Sequence, residues 1–193
     1  DRSSAASDVY KRQGMEYSDL DAVVTGVGPG PFTGLRVGMA TASALADALS
    51  IPLHGICTHD AIAAAADLHV EPAAAADEAT ALVATDARRK EIYWATYRAT
   101  DSGVQRISGP AVTKPAELEV ELASTAEVII PDRLAEQLPE RFAALPHRAA
   151  HPSATALVAA ADLEAEPAPV VPLYLRRPDA VPPKQQQLSA AIP

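Results

Sequence analysis

Two different periods of hydrophobic and polar positions follow each other along this chain of 193 residues. A short apolar run over 21–25 precedes a turn rich in glycine and proline, and residues 33–49 then show a helical period. A second apolar run, over 51–57, leads into a helical pattern over 58–68 that Thr58 would cap. This order of strand, helix, strand and helix predicts a parallel sheet with right-handed crossovers.

The lead helix, over 33–49, is apolar nearly all round, and Thr33 is its predicted N-cap. At 100° per residue, one face carries Leu35, Gly38, Met39, Ala42, Ala46 and Leu49. The opposite face carries Val37, Ala40, Thr41, Ala44 and Ala48. Such a helix is normally buried on two sides, so we expect one face on its own sheet and the other on another helix or subunit. Periodicity does not decide which face turns outward. Arg36, in the first turn, is predicted to be solvated or to reach a carboxylate.

The second half of the chain predicts shorter elements. Strands over 80–85 and 91–98 flank a hairpin tip at 86–90 (DARRK), whose basic cluster is typical of a solvated turn. A short strand near Ala111, a helix over 115–123, a strand over 127–130 and a helix over 132–138 follow. A last helix begins near Ser153 and runs to residue 162. We expect the acidic, alanine-rich segment over 69–78 to separate two lobes, over 14–70 and 71–180. Residues 1–13 read as a leader and 181–193 as a loose tail.

Candidate chemistry in the sequence is sparse. The glycine-rich turn matches neither a Walker loop nor a dinucleotide fingerprint, because Leu35 and Arg36 follow Gly34 and the glycine spacing is wrong. His147 and His151 would share a face only in a helix, yet prolines flank both of them. We therefore expect no metal site there. His54 is predicted to be a strand surface residue, and His59 a residue of a first helical turn.

Composition limits the classes of function. The net charge of −9 and the pI of about 4.9 disfavour primary nucleic-acid binding, so any RNA contact is expected through a partner. The single cysteine, Cys57, excludes an intrachain disulfide. No apolar run has the length of a membrane span and no signal-peptide pattern opens the chain, which together predict a cytoplasmic protein without membrane contact.

Three segments resemble the TsaB (YeaZ) family. The stretch GVGPGPFTGLRVG is similar to the family signature, with Pro31 where serine is common. ALVATDARRKEIYWATY (81–97) and VPLYLRRPDA (171–180) are similar as well. The motif turn of that signature comprises Gly28, Gly30, Phe32, Thr33 and Gly34. Members of the family begin with a strand carrying an Asp-Thr-Ser loop, which is not found here. The resemblance therefore implies an N-terminally truncated member.

The resemblance implies an α/β, actin-like (ASKHA) fold with an incomplete first lobe and a second lobe. It also implies a non-catalytic scaffold that pairs with a TsaD-like catalytic subunit to form N6-threonylcarbamoyladenosine next to the tRNA anticodon. A TsaE-like ATPase would join the complex and tRNA would be reached only indirectly. No cofactor is expected, since a nucleotide, if any, would be bound by the partner subunit. In the family, the lead helix pairs with TsaD or with a second copy. The interface implied for this chain comprises Leu35, Arg36, Met39, Ala40, Ala44 and Ala48.

Two other classes stay open from the sequence. A peptidase-like (glycoprotease) metalloenzyme would use His147 and His151 as ligands, and metal content would reveal it. A small-molecule kinase of the actin-like fold would need the Asp-Thr loop, and nucleotide titration would test that activity.

Overall fold

The computed structural model describes residue 14 and residues 16–66, 80–101, 103–121 and 127–176. The strands are β1 (Val23–Gly28), β2 (Leu53–Cys57), β3 (Thr80–Asp86), β4 (Ile92–Thr100), β5 (Gly103–Thr113), β6 (Glu127–Ile129) and β7 (His147–Arg148). The helices are α1 (Phe32–Leu49), α2 (Thr58–Ala65), α3 (Asp132–Ala135), α4 (Glu140–Ala143) and α5 (Ala154–Ala159). The predicted leader, the link between the lobes and the tail lie outside the described residues.

The first sheet is the parallel pair β1 and β2, with Val23 opposite Leu53 and Gly26 opposite Ile56. Helix α1 connects the two strands, so the predicted crossover and parallel pairing are confirmed. Strand β1 begins later than the apolar run suggested, because residues 21 and 22 precede the paired register.

The second sheet has the order β5-β4-β3-β6-β7. Strands β3, β4 and β5 are antiparallel neighbours, whereas β6 and β7 run parallel to β3. Strand β3 has a core on each face. Leu82 and Ala84 pack with residues of α3 and α4 on one face. On the other face, Ala81 and Val83 pack with Ile62 and Ala63 of α2. Helix α2 thus buries its alanine-rich face on the five-stranded sheet while it follows directly from β2 of the first sheet.

The helix starts differ from the predictions at two positions. Helix α1 begins at Phe32 with Pro31 in the N-cap position, so Thr33 is an exposed first-turn residue and not the cap. The fixed φ of proline, −61° here, already suits the position before a helix. Helix α2 begins at Thr58 itself, after Cys57, and neither helix has a side-chain cap hydrogen bond. The last helix begins after Ser153, as predicted, but ends at Ala159 and not at residue 162. The Ser153 hydroxyl caps it by accepting a hydrogen bond from the Ala156 amide at 3.0 Å.

Prolines and solvent exposure explain the remaining differences. The short strand near Ala111 is the end of β5, an eleven-residue edge strand whose exposed side chains carry no apolar alternation. The prediction of a helix over 115–123 is wrong for residues 115–121, the part of that range that the structure describes. That part has one 3-10 turn, Pro115–Glu117. The helix over 132–138 ends early, at Ala135, and Pro139 precedes α4. Strand β7 was not predicted, because two exposed residues give no pattern.

Candidate functional site

The three segments that carry the family resemblance meet on one side of the molecule. The amide of Leu173, in the closing segment (residues 172–176), donates a hydrogen bond to the Val27 carbonyl of β1 at 2.8 Å. Arg176, at the end of the same segment, donates to the Ala87 carbonyl at 3.0 Å and lies 2.9 Å from the Glu91 carboxylate. The closing segment thus packs back on the domain and contacts both β1 and the hairpin between β3 and β4.

The start of α1 and the closing segment share a cluster of rings. The rings of Phe32 and Tyr174 have their centroids 4.8 Å apart. The Arg36 guanidinium lies 5.7 Å and 5.6 Å from these two centroids, and its Nε donates to the Tyr174 hydroxyl at 3.0 Å. Arg36 therefore reaches a phenol and not a carboxylate. Three partly exposed side chains hold the motif turn against the closing segment through stacking and cation–π contact.

Gly28 is the glycine of the motif turn that the fold itself requires. Its φ of +101° is in the region that L side chains avoid, and an added Cβ would lie 3.2 Å from Leu35 Cδ2 and 3.4 Å from the Leu173 carbonyl. Gly30 and Gly34 differ, since an added Cβ would meet nothing within 4 Å at either position. The packing of this chain therefore does not explain those two glycines.

Helix α1 turns its small residues to solvent. We call this surface the outer face; it comprises Val37, Ala40, Thr41, Ala44 and Ala48, all exposed. Val37 is 61% exposed, which is high for an aliphatic side chain. Ala42 and Ala46 are buried, and Leu35, Met39 and Leu49 are half-buried on the opposite side. The structure thus separates the six residues of the implied interface into four exposed ones and two, Leu35 and Met39, that are half-buried on the opposite side of α1.

The hairpin tip confirms the predicted turn and adds an unusual backbone. Arg88, Arg89 and Lys90, which we call the cationic loop, have φ values of +65°, +51° and +62°. Their side chains are exposed. Asp86 accepts a hydrogen bond from the Arg88 amide at 2.7 Å, and its other oxygen lies 3.1 Å from Arg133. The loop is therefore fixed at one side by Asp86 and at the other by the contacts of Arg176.

A partly buried polar cluster joins α2 to β4 and β5, and the sequence did not reveal it. The Tyr97 hydroxyl donates to Asp60 at 2.7 Å, and Arg106 lies 3.5 Å from the same carboxylate oxygen. Burial, together with the nearby Asp60 charge, raises the pKa of Tyr97 and of Cys57. An open cavity of about 730 Å³ borders the cluster, but Asp60 and Arg106 already neutralise each other there.

Two buried histidines correct the predictions made for them. His54 is 7% exposed and thus not a surface residue, because the side of β2 that carries it is covered. His59 is in the first turn of α2, as predicted, and is completely buried, with Nε2 2.9 Å from the Thr85 hydroxyl. Burial, with a smaller effect from Arg106, lowers the pKa of His59 to about 3. A neutral, enclosed imidazole of this kind has a structural role.

The two histidines of the possible metal pair are exposed and not on a helix. His147 lies in β7, and His151 lies in an irregular stretch before Ser153. Over the described ranges, no group of three or more histidine, cysteine, aspartate or glutamate side chains could hold a metal ion. Nor does any helix in those ranges have the length and apolarity needed to cross a membrane.

The chain is similar in sequence to several known proteins. Residues 3–151 match the family model described as TsaD: tRNA N6-adenosine threonylcarbamoyltransferase. An uncharacterized protein of Mycobacterium leprae is 47% identical over 168 residues, which are 85% of this chain and 40% of the relative. The tRNA threonylcarbamoyladenosine biosynthesis protein TsaB of Escherichia coli is 35% identical over 98 residues, 50% of this chain and 39% of that protein.

Solved structures show the same fold. YeaZ from Pseudomonas aeruginosa superposes with a TM-score of 0.64 at 24% sequence identity, over 88% of this chain and 80% of the other. This similarity confirms the predicted α/β class and its actin-like architecture. The chain spans less than half the length of the Mycobacterium leprae and Escherichia coli relatives.

Proposed function

The chain belongs to the TsaB (YeaZ) family, within the group that the TsaD family model describes, as predicted. On this premise we propose that it is a non-catalytic subunit of the machinery that forms N6-threonylcarbamoyladenosine in tRNA. It pairs with a TsaD-like catalytic subunit, and a TsaE-like ATPase joins through the complex. The chain has no cofactor of its own, and any nucleotide is bound by the partner.

The outer face of α1 carries this proposal. Its residues are small and mostly apolar, so another helix can approach the backbone of α1 closely. Gly34 and Gly38 extend the accessible strip, because an added Cβ at either one would meet nothing within 4 Å. Removal of such a surface from water by a partner lowers the free energy and so stabilises the complex. The polar and charged side chains expected on a fully solvated helix face are replaced there by alanine, valine and threonine.

The charge of the chain supports an accessory role. A net charge of −9 repels RNA, so the catalytic subunit supplies most of the affinity for tRNA. The strongly shifted pKa values belong to enclosed groups, His59 and Tyr97, whose hydrogen bonds are internal. His59 is completely enclosed, and the Tyr97 hydroxyl, although its residue lines the open cavity beside α2, is already committed to Asp60. Neither group is thus placed as a free general acid or base.

Co-purification with a TsaD-like subunit tests the proposed interface. Ala44→Glu places a charge at the centre of the outer face and should abolish pairing while the variant folds normally, since Ala44 is exposed. Ala65→Glu is the matched control, because Ala65 is an exposed alanine on a different helix, α2. Circular dichroism verifies that both variants are folded.

The pairing of Ala44→Glu decides whether the outer face is the interface. Loss of pairing in Ala44→Glu alone supports it, whereas pairing at parental affinity places the interface elsewhere. Met39→Glu separates folding from docking, because Met39 is half-buried against the chain's own lobe and its replacement should lower stability first. If pairing of the parent chain is with a second copy, light scattering will show a dimer whose mass falls to that of a monomer in Ala44→Glu.

A reconstituted transfer assay tests the non-catalytic role. We expect no threonylcarbamoyl transfer to tRNA from this chain alone and stimulated transfer when it is added to the TsaD-like subunit. Tight zinc or iron binding that requires His147 and His151 would instead support the peptidase-like alternative.

A further inference from the structure

We propose that the cationic loop of Arg88, Arg89 and Lys90 contacts the phosphate backbone of tRNA in the assembled complex. This proposal rests on the proposed function. It adds a direct contact with tRNA to a chain that otherwise reaches tRNA only through its partner subunit. The ligand chemistry is that of a phosphodiester polyanion, read without regard to base sequence.

The distribution of charge points to this loop. It holds three of the chain's 16 lysine and arginine residues in successive positions, although the net charge of the chain is −9. The carboxylates at its base are already paired, Asp86 with Arg133 and Glu91 with Arg176. Within the part of the chain that the structure describes, the side chains of Arg88 and Lys90 have no carboxylate at ion-pair distance. Their charges therefore face solvent, whereas the Arg133 charge is offset by Asp86.

Closure of the turn does not account for the cationic residue types at positions 88 and 90. All three residues have positive φ, a conformation that costs a side chain other than glycine roughly 1–2 kcal/mol. Glycine or asparagine would form the same turn at lower cost. Backbone bonds close the turn, from Ala87 N to the Glu91 carbonyl and from Glu91 N to the Arg88 carbonyl, both 3.0 Å. None of these bonds uses the side chain of Arg88 or Lys90, so closure of the turn does not explain why these two residues are cationic.

The rigid base of the loop suits a polyanion. Arg176 joins the Ala87 carbonyl and the Glu91 carboxylate to the closing segment, which also contacts the start of α1 through the ring cluster. The orientation of the loop is thereby fixed relative to the helix that carries the proposed partner surface. Arginine can donate two parallel hydrogen bonds to a phosphate, and lysine adds a point charge. The side chains of the loop are exposed to solvent and not enclosed in a pocket. This exposure favours binding of a nucleic-acid phosphate backbone over binding of a small ligand.

The salt dependence of tRNA binding by the complex with the TsaD-like subunit tests the contact. In Arg88→Gln/Lys90→Gln, two charges are removed from the loop while both positions keep unbranched polar side chains. Each lost phosphate contact should lower the slope of log K against log salt by about 0.7–0.9. We therefore expect a slope lower by roughly 1–2 and binding at low salt weaker by roughly tenfold. Arg98→Glu is the matched control, because it also changes the net charge by two units, at an exposed position near the other end of β4.

Each outcome separates this contact from the proposed function. Failure of the parent chain to co-purify refutes the proposed function and the contact with it. A complex that assembles normally, with the slope unchanged in the double variant, refutes only the contact. An equal effect of Arg98→Glu would mean a general charge effect and also overturns the contact. Saturable binding of inorganic tripolyphosphate by the isolated chain, lost in the double variant while the tRNA slope is unchanged, would identify a small-polyanion site and overturn the RNA proposal.

Discussion

His59 shows at the scale of one residue how position in the fold decides chemistry. The sequence places it in a first helical turn, an ordinary site for a polar residue. The structure closes that turn against β3, where the Thr85 hydroxyl is its hydrogen-bond partner and the ring is fully enclosed. Charging the ring there is unfavourable, so the folded state keeps it neutral.

We expect His59 to make the folding stability depend on pH. Its pKa is about 3 in the folded state and about 6.5 in an unfolded chain. Between these values the unfolded state binds one more proton, so stability falls as pH falls from about 6.5 towards 3, and no effect is expected above pH 6.5. The slope for this group is about 1.4 kcal/mol per pH unit.

Urea denaturation of the parent chain and of His59→Gln between pH 7 and 4 measures this contribution. The difference in unfolding free energy between them should shift by about 3 kcal/mol over the range, in favour of the variant at low pH. A difference that stays constant with pH would show that His59 is protonated normally in the folded state. Comparison with the variant removes the contribution of the carboxylates, which both proteins share.

At the scale of one element, Gly109 controls the shape of β5. The register between β4 and β5 shifts between Trp94 and Thr96, which lets the long edge strand follow its neighbour. At Gly109, where φ is +86°, an added Cβ would lie 2.7 Å from the Trp94 carbonyl and 2.9 Å from Ala95 Cα. These are backbone atoms, so a rotamer change cannot relieve the overlap.

Gly109→Ala should therefore lower the free energy of unfolding more than Gly103→Ala. At Gly103, φ is +124° but an added Cβ would meet nothing within 4 Å, so the variant reports backbone strain alone, about 1–2 kcal/mol. Gly109→Ala adds a backbone overlap worth about 1–3 kcal/mol more. Thermal unfolding of both variants gives the comparison, and equal losses would contradict the close approach of β4 and β5.

At the scale of the whole molecule, the closing segment holds distant parts of the chain together. It contacts β1 through Leu173, α1 through Tyr174 and the hairpin tip through Arg176. The segments that meet there lie far apart in sequence. The segments that resemble the family are therefore the ones that the closing segment joins in space.

Arg176→Gln should loosen the hairpin tip. The variant loses the ion pair with Glu91 and the charged hydrogen bond to the Ala87 carbonyl, and we expect a loss of about 2 kcal/mol. Amide exchange at Ala87 and Glu91 should accelerate. Arg133→Gln is the control, since its highly exposed pair with Asp86 should contribute less than about 1 kcal/mol. Equal effects of the two substitutions would contradict the role of Arg176.

The sequence by itself determined the local elements and the family. The apolar runs predicted β1 and β2 on each side of a long helix, and the DARRK turn predicted the hairpin, because these features depend on nearest neighbours along the chain. The GPGPFTGLR turn and two later segments were sufficient to indicate the TsaB (YeaZ) family. The division into lobes, the interface and the absence of a cofactor stay predictions.

Only the tertiary structure decided which surfaces are covered. Helix α1 is apolar nearly all round, so its periodicity could not choose between the face with Met39 and the face with Ala44. The sheet beneath it made that choice. The partners of Arg36 and Arg176, Tyr174 and Glu91, lie 138 and 85 positions away, beyond the reach of any local pattern. Burial of His54 and His59 likewise depends on elements that pack over them, so only the folded chain reveals it.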